Sequence, residues 1–162
     1  MQTRQQADPR AILMVCMGNI CRSPPAEGLA RASLHGAGLD VEVDSAGTHD
    51  YHLGAAPDRR ARAVAHELGF DIDDLRARQV ADEDFSRFDV ILAADRANLA
   101  LLQRRRPAQA RAELALLLPW CGGMADGEVP DPYYGDMADF RATARLLRDA
   151  MPGLLRRVQG RA

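Results

Sequence analysis

Four apolar segments alternate with helix-like stretches along this 162-residue chain. Residues 11–16, 41–45, 89–94 and 113–119 are predicted to be β-strands, and all but the second are almost continuously apolar. Continuous apolar strands are typical of a parallel sheet that helices cover on both faces. The second segment, VEVDS, alternates apolar with polar residues, as an edge strand does.

Helices are predicted between and after these strands, at 24–35, 57–68, 95–106 and from 139 to about 158. Pro24 and Pro57 stand at helix starts, where the missing N–H of proline is no loss. Pro152 is expected to bend or break the last helix. Residues 1–10 lack periodicity and are expected to form a flexible N-terminal arm, which leaves 11–162 as a single domain.

The alternation predicts an α/β fold, namely a doubly wound four-stranded parallel sheet with helices on both faces. We expect the strand order 2-1-3-4, which makes the first strand a topological switch point. Ligands of open α/β sheets bind beyond the carboxyl ends of such strands. The loop after strand one is therefore the expected binding loop.

Charge and composition exclude several classes of function. The formal net charge is -2, so no overall positive field attracts nucleic acid. All 21 basic residues are arginine, which excludes Schiff-base lysines and Walker-type phosphate loops. The arginine bias favours a GC-rich, bacterial source.

Cysteine usage and hydropathy favour a cytoplasmic protein. Three cysteines are too few for a disulfide scaffold, and the apolar run 11–17 is too short for a membrane span. We expect reduced thiols, no membrane partner, and a monomer or weak self-association.

The loop CMGNICRS, residues 16–23, leads directly into the helix that starts at Pro24. Such a loop directs several unpaired N–H groups at one point, where the helix dipole adds partial positive charge. Gly18 and Asn19 tolerate the backbone conformations that the curve requires. We therefore predict a phosphate-binding loop made by Met17, Gly18, Asn19, Ile20, Cys21, Arg22 and Ser23.

Three side chains of this loop suit phosphoryl transfer. Cys16 stands where positive charge stabilises a thiolate, which is a ready nucleophile. The planar guanidinium of Arg22 can bind two phosphoryl oxygens, and Ser23 can hydrogen-bond the sulfur as it leaves. A cysteine at a strand end is more often a packing residue. The C-x5-R-S pattern, joined to an apolar strand, a glycine and a helix start, favours catalysis.

The stretch VCMGNICRSPPAE, residues 15–27, resembles the active-site signature of low-molecular-weight protein tyrosine phosphatases. The similarity continues through SAGT (45–48), PDRRA (57–61), ARQV (77–80), FDVILAADRANL (88–99) and DPYYG (131–135). The resemblance implies a hydrolase that needs no metal or other cofactor. It also implies that phosphotyrosine proteins and aryl phosphates are hydrolysed through a phosphocysteine on Cys16, with inorganic phosphate as product.

The resemblance makes Asp131 the general acid that protonates the leaving group and then the base that activates water. From the residues alone, an aspartate before a proline is a common turn residue. Tyr51, Tyr133 and Tyr134 stand in two loops at the same predicted edge, where their rings can stack on a substrate or pack internally. By the resemblance, these tyrosines line the substrate cleft.

A hydrogen-bond network around the loop is also implied. Asn19, Ser23 and Ser45 resemble the family's network that holds the phosphate loop in shape. Leu75 departs from the family, which commonly has a histidine at this position. Bracing of the loop is therefore expected to depend more on Ser45.

Other polar residues near the loop allow two interpretations each. Asp95 and Asn98 follow strand three at the same edge and are expected to give structural support, although Asp95 also suits a helix N-cap. Cys21 is either a packing residue or, as the resemblance favours, a reversible disulfide partner of Cys16. Cys121 has no evident partner. The four histidines, including His52, show no metal-ligand spacing with the cysteines, so we expect surface or loop roles for them.

Three competing functions fit less well. Arsenate reductases of the same fold share the C-x5-R loop but need a further cysteine pair downstream, where only Cys121 lies. Protein-arginine phosphatases of the family tend to carry threonine where this chain has Ile20, so Ile20 favours phosphotyrosine. An anion-binding module without turnover would need neither a thiolate at Cys16 nor an acid at Asp131.

Overall fold

A four-stranded parallel sheet forms the centre of the computed structural model, which describes residues 9–123 and 127–160. The strand order is β2-β1-β3-β4, as predicted, and all three strand pairs are parallel. Most of the expected N-terminal arm, residues 1–8, lies outside the described residues. The strands are β1 (Ala11–Cys16), β2 (Glu42–Gly47), β3 (Val90–Ala93) and β4 (Glu113–Leu116).

Six helices connect and follow the strands in the described part of the chain. The four predicted helices are confirmed to within two residues at each end, whereas two short ones, α3 and α5, were not predicted. The helices are α1 (Ser23–Gly36), α2 (Arg59–Leu68), α3 (Asp84–Arg87), α4 (Arg96–Arg105), α5 (Leu117–Trp120) and α6 (Met137–Val158). None of them is long and apolar enough to span a lipid bilayer.

The predicted fourth strand is wrong beyond residue 116, because residues 117–120 form the helical turn α5. Pro119 has no N–H to donate to a sheet ladder, but it fits the first turn of a helix. Of the bend or break predicted at Pro152, a break does not occur, since α6 continues through it. The next residue, Gly153, allows α6 to approach the carbonyl oxygen of Cys121 closely.

Helices cover both faces of the sheet, as predicted. On β1, Ile12 and Met14 belong to the larger core cluster, which α1, α2, α5 and α6 complete. Leu13 and Val15 face the opposite cluster, whose other members include Phe85 of α3 and Leu102 of α4. Because β1 is buried on both faces, its carboxyl end brings Cys16 to the middle of one sheet edge.

The edge strand β2 ends beside this position. Gly47 packs closely against Met17, the residue after Cys16. A Cβ on Gly47 would stand only 2.7 Å from the carbonyl oxygen of Met17. The backbone N–H groups of Thr48 and His49 donate to the carbonyl oxygens of Cys16 and Met17. The end of β2 therefore supports the start of the loop that follows β1.

Candidate active site

The loop of residues 16–23 turns its carbonyl groups toward neighbouring backbone. The carbonyl oxygens of Cys16, Met17 and Ile20 accept hydrogen bonds at 2.9, 3.0 and 2.9 Å from segments that follow β2. Within residues 9–123 and 127–160, none of the N–H groups of residues 17–22 donates to a protein acceptor. These N–H groups lie at the N-terminus of α1, so the loop is built to bind an anion.

Cys16 lies at the start of this loop, with its side chain almost entirely buried. Its Sγ is 3.0 Å from Ser23 Oγ, within hydrogen-bond distance, and accepts a hydrogen bond from Ser23 N at 3.4 Å. Ser23 is the first residue of α1, so the helix dipole also acts on the sulfur. The sulfur therefore lies beside two hydrogen-bonding groups at the positive end of the α1 dipole.

Arg22 is 3% exposed, and its guanidinium makes hydrogen bonds to the protein through Nη1. Its Nη1 donates to Asp95 Oδ2 at 2.7 Å and to the carbonyl oxygen of Val129 at 3.1 Å. Its Nε is buried without an acceptor among the described residues, and Nη2 lies 3.8 Å from Asp131 Oδ2. The edge formed by Nε and Nη2 is therefore available for two parallel hydrogen bonds to a phosphoryl group.

Burial acts to lower the pKa of Arg22, but nearby anionic groups act in the opposite direction. The charge of Cys16, the hydrogen bond to Asp95 and the charge of Asp131 together outweigh burial, so the pKa of Arg22 is raised. The guanidinium stays charged at any pH at which the protein is folded.

Asn19 organises the loop from inside. It is the non-glycine residue with positive φ (58°) in the described backbone, and its side chain is buried. Its Nδ2 donates to Ser23 Oγ at 2.8 Å and to Ser45 Oγ at 3.0 Å, and its Oδ1 accepts from the Arg78 backbone N–H at 2.9 Å. Three hydrogen bonds thus compensate a backbone conformation that most side chains disfavour.

Glu27 extends this network, and sequence reasoning missed it. Ser45 Oγ donates to Glu27 Oε1 at 2.7 Å, and Arg31 lies 2.6 Å from the other carboxylate oxygen. Burial raises the pKa of Glu27, against the hydrogen bond from Ser45 and the charge of Arg31. The available signal was its place at the end of the signature stretch, one helical turn after Ser23.

Leu75 lies partly buried against the hydrophobic core and has no side-chain hydrogen-bonding group. The acceptor on Asn19 is instead used by the backbone of Arg78, so each polar atom of the Asn19 amide has a partner without Leu75.

Asp95 combines the two roles considered for it. Its Oδ1 accepts from the Asn98 backbone N–H at 2.8 Å as the N-cap of α4, while Oδ2 accepts from Arg22. Asn98 itself is 1% exposed, and its Oδ1 has no partner among the described residues. The N-cap residue of α4, which follows β3, therefore orients the guanidinium of Arg22.

Asp131 lies in the loop between α5 and α6, of which residues 121–123 and 127–136 are described. Its Oδ1 accepts from the Tyr133 backbone N–H at 3.1 Å, and its side chain is 41% exposed. With Cys16 and Arg22 it borders one cavity of about 310 Å³. The cavity is lined by Cys16, Met17, Gly18, Ile20, Cys21, Arg22, Tyr51, His52, Asp131, Tyr133 and Tyr134.

The rim of this cavity is aromatic. Tyr51 and Tyr134 are 66% and 95% exposed, and Tyr133 is 38% exposed, so none of the three is a core residue. The rings of Tyr133 and Tyr134 pack edge to face with their centroids 4.9 Å apart. The centroid of the His52 ring lies 6.1 Å from that of Tyr133. His52 was expected to have only a loop or surface role. It lies so close to Gly18 that a Cβ there would stand 2.9 Å from the ring.

The remaining cysteines differ in their positions. Cys21 borders the cavity with Cys16, and burial, followed by the charge of Asp58, raises its pKa, so Cys21 is a neutral thiol at physiological pH. Cys121 lies at the end of α5, and burial raises its pKa to about 12.

The arrangement can bind a phosphate monoester dianion and accept its phosphoryl group on sulfur as the leaving oxygen departs. The loop of unpaired N–H groups, Arg22 with its free edge, the buried Cys16 thiol and the Asp131 carboxyl group all border the same cavity. The exposed aromatic rim provides surface on which a planar ring can stack.

Comparison with known proteins identifies the family. Residues 11–162 match the family described as low molecular weight phosphotyrosine protein phosphatase. A low molecular weight protein-tyrosine-phosphatase of Streptomyces coelicolor is 41% identical over 160 residues, covering 93% of this chain and 97% of that protein.

Solved structures agree with this match. A protein tyrosine phosphatase from Entamoeba histolytica is 36% identical with a TM-score of 0.86, over 93% of this chain and 97% of that chain. A Drosophila arginine phosphatase is 29% identical with a TM-score of 0.83, over 90% and 95% of the two chains. This chain therefore belongs to the low molecular weight phosphotyrosine protein phosphatase family and is a protein-tyrosine-phosphatase.

Proposed function

We propose that this enzyme hydrolyses phosphotyrosine in proteins, and aryl phosphates, through a phosphocysteine intermediate on Cys16. One observation carries the proposal: the N–H groups of residues 17–22 and Arg22 Nε have no acceptor among the described residues, and most of these residues line one cavity with the buried Cys16. Donors buried without acceptors are costly. A phosphoryl group bound over Cys16 supplies those acceptors.

In the first step, the Cys16 thiolate attacks phosphorus, so that a P–S bond forms and the P–O bond to the tyrosyl oxygen breaks. Asp131 in its acid form gives its proton to that oxygen, because a phenol with a pKa of about 10 leaves poorly as an anion. Arg22 and the loop N–H groups neutralise charge on the equatorial oxygens.

In the second step, a water molecule attacks the phosphorus of the phosphocysteine while the Asp131 carboxylate takes its proton. The P–S bond breaks, inorganic phosphate forms, and the Cys16 thiolate returns. Ser23 Oγ, 3.0 Å from the sulfur, stabilises the leaving thiolate. Asn19 and Ser45 keep the loop in shape, and Asp95 orients Arg22.

No metal or other cofactor enters either step, because Arg22 and the loop supply the positive charge. The cavity and its exposed tyrosines suit a protein substrate whose phosphotyrosine ring enters between Tyr51 and Tyr133. A reducing cytoplasm suits the two thiols that border the cavity.

Phosphoarginine is the second candidate substrate, since a Drosophila arginine phosphatase shares the fold. The branched, apolar side chain of Ile20 lines the cavity floor where arginine phosphatases of the family tend to carry threonine. It offers no hydrogen bond to a guanidinium, and this favours phosphotyrosine.

The test compares hydrolysis of a phosphotyrosine peptide and a phosphoarginine peptide in the presence of EDTA. We expect wild type to hydrolyse the phosphotyrosine peptide at an unchanged rate with EDTA and to prefer it strongly over phosphoarginine. Cys16→Ser should reduce kcat by at least about 10³-fold, while Cys121→Ser, the matched control, should keep wild-type activity.

Rapid acid quenching during turnover should recover a phosphorylated peptide that contains Cys16. Full activity of Cys16→Ser, loss of activity with EDTA, or phosphate on another residue would each refute the mechanism. Equal or better hydrolysis of phosphoarginine would refute the proposed substrate class.

A further inference from the structure

The side chain of Asp131 has few partners among the described residues. Asp131 accepts one hydrogen bond from the Tyr133 N–H within the same loop and makes a 3.8 Å ion pair with Arg22. An acid with a half-exposed side chain needs an external support to stay aimed at the substrate, because misplacement by about 1 Å can cost 10²-fold in rate.

Arg60, in the first turn of α2, provides such a support. Its Nη1 donates to the Gly135 carbonyl oxygen at 2.9 Å, and its Nη2 donates to the Tyr133 carbonyl oxygen at 2.9 Å. Both carbonyl groups belong to the loop that carries Asp131. The side chain of Arg60 does not line the cavity that contains Cys16.

The guanidinium of Arg60 is itself fixed on its other sides. Asp58, the N-cap of α2, accepts from Arg60 Nε at 3.1 Å and from Nη2 at 3.0 Å. The group also lies 4.3 Å above the ring of Phe140 in α6. Five donors in a planar fork allow these contacts together, and a lysine ammonium cannot reproduce them.

We propose that Arg60 is a positioning residue, which holds the loop of residues 131–135 so that Asp131 faces the substrate oxygen above Cys16. The inference rests on the proposed role of Asp131 as general acid. Arg60 touches neither substrate nor reacting atoms, and it acts only through the loop. Its loss lowers the fraction of enzyme in which the acid is in place.

This role predicts a dependence on the leaving group. Proton donation matters most when the departing oxygen is strongly basic, as in phenyl phosphate or phosphotyrosine, and little when it is a stable anion, as in 4-nitrophenyl phosphate. The ratio kcat/KM reports the steps up to P–O cleavage, so it senses the acid even when hydrolysis of the phosphocysteine limits kcat.

The experiment measures kcat/KM for phenyl and 4-nitrophenyl phosphate with wild type, Arg60→Ala, Arg60→Lys and Asp131→Asn. We expect Arg60→Ala to lose about tenfold or more with phenyl phosphate and less than about threefold with 4-nitrophenyl phosphate. Arg60→Lys, which can reach one carbonyl group, should lie between wild type and Arg60→Ala. Inhibition by inorganic phosphate should not change, since the phosphate loop is untouched.

Arg59→Ala is the matched control, because the neighbouring Arg59 makes no side-chain hydrogen bond or ion pair within residues 9–123 and 127–160. It should behave as wild type with both substrates. If Arg60→Ala does not fold, the leaving-group dependence of Arg60→Lys decides the question.

Equal losses with both substrates, or no loss with either, would overturn the positioning role while Asp131→Asn still shows the leaving-group dependence. Absence of that dependence in Asp131→Asn would instead refute the proposed acid, and with it the inference. The two failures are therefore distinguishable.

Discussion

Asn19 Nδ2 donates a hydrogen bond to Ser45 Oγ at 3.0 Å, which joins the loop of residues 16–23 to the edge strand β2. Both side chains are buried, and the Ser45 hydroxyl passes its own hydrogen bond on to Glu27 in α1. A loop with positive φ at Asn19 is thus held by two separate elements of the fold. Its shape, and with it the position of the N–H groups, depends on this contact.

Ser45→Ala tests this bracing. The change leaves Asn19 Nδ2 and Glu27 Oε1 with one hydrogen bond fewer in a buried site, so we expect a loss of about 2 kcal/mol in the free energy of unfolding. We also expect weaker inhibition by inorganic phosphate, because the loop is less well ordered. Urea denaturation and steady-state inhibition measure the two effects.

Ser86→Ala is the control for that experiment, since Ser86 is exposed on α3. It should change neither quantity. A Ser45→Ala variant that is destabilised but binds phosphate as wild type would show that the contact supports the fold without shaping the loop.

Glu27→Gln tests the pH dependence of this network. Because burial raises the pKa of Glu27 in the folded state above its usual value of 4.5, the folded protein holds this proton more tightly than the unfolded chain. The stability it contributes is present below the unfolded pKa and is lost as pH rises through the folded pKa. The variant should therefore gain stability relative to wild type as pH rises from the usual pKa of 4.5 through the raised pKa of the folded state.

Glu67→Gln is a control of opposite sign. The hydrogen bond from Arg141 lowers the pKa of Glu67, so its contribution appears above the unfolded pKa and is lost as pH falls. Relative to wild type, this variant should lose stability as pH rises. Urea denaturation across the pH range measures both differences, and a Glu27→Gln variant that follows the Glu67→Gln trend would contradict the raised pKa.

Gly153→Ala tests the close approach of α6 to the end of α5. A Cβ on Gly153 would stand 1.6 Å from the carbonyl oxygen of Cys121, and backbone atoms cannot move aside cheaply. We expect a loss of about 3 kcal/mol in the free energy of unfolding, measured by thermal and urea denaturation. Gly36→Ala, at a helical position with no atom within 4 Å of the added Cβ, should instead stabilise by about 0.5–1 kcal/mol. Similar effects of the two changes would contradict this packing.

Cys21→Ser tests the expected redox partnership. Hydrogen peroxide oxidises the Cys16 thiolate to a sulfenic acid and is reduced to water. Attack by the Cys21 thiol then releases water and forms a disulfide. Wild type should regain activity with dithiothreitol, whereas Cys21→Ser should lose it irreversibly as Cys16 oxidises further.

Mass spectrometry provides the second measurement, because both cysteines lie in the tryptic peptide of residues 11–22. The oxidised wild-type peptide should be lighter by two hydrogen atoms. Cys121→Ser should behave as wild type in both assays. Equal recovery of Cys21→Ser would show that Cys21 does not protect the nucleophile.

Much of the fold could be predicted from local patterns. The strand at 11–16 was predicted with its observed bounds, since an uninterrupted apolar run needs a position buried on both faces. The errors also have local causes. Residues 117–120 continue the apolar run of β4 but contain Pro119, which a sheet ladder cannot accommodate. An apolar run alone does not distinguish a buried strand from a buried helical turn.

The candidate site divides in the same way. The sequence alone predicted residues 16–23 as the candidate phosphate-binding loop, because Cys16, Arg22 and Ser23 are neighbours in a segment whose strand, turn and helix start are set by nearby residues. Their geometry also depends on distant contacts, such as those of Asn19 with Ser45 and of Arg22 with Asp95. The motifs PDRRA (57–61) and ARQV (77–80) were recognised in the sequence, but the sequence did not predict which residues they contact.

Only the tertiary structure decided which residues brace and complete the site. Arg60 reaches carbonyl groups 73 and 75 residues further along the chain, and Arg22 is oriented by Asp95, 73 residues away. Such contacts depend on how right-handed crossovers bring the ends of β1, β2 and β3 to one sheet edge. Periodicity and spacing report which face of an element is buried, but not which distant partner covers it.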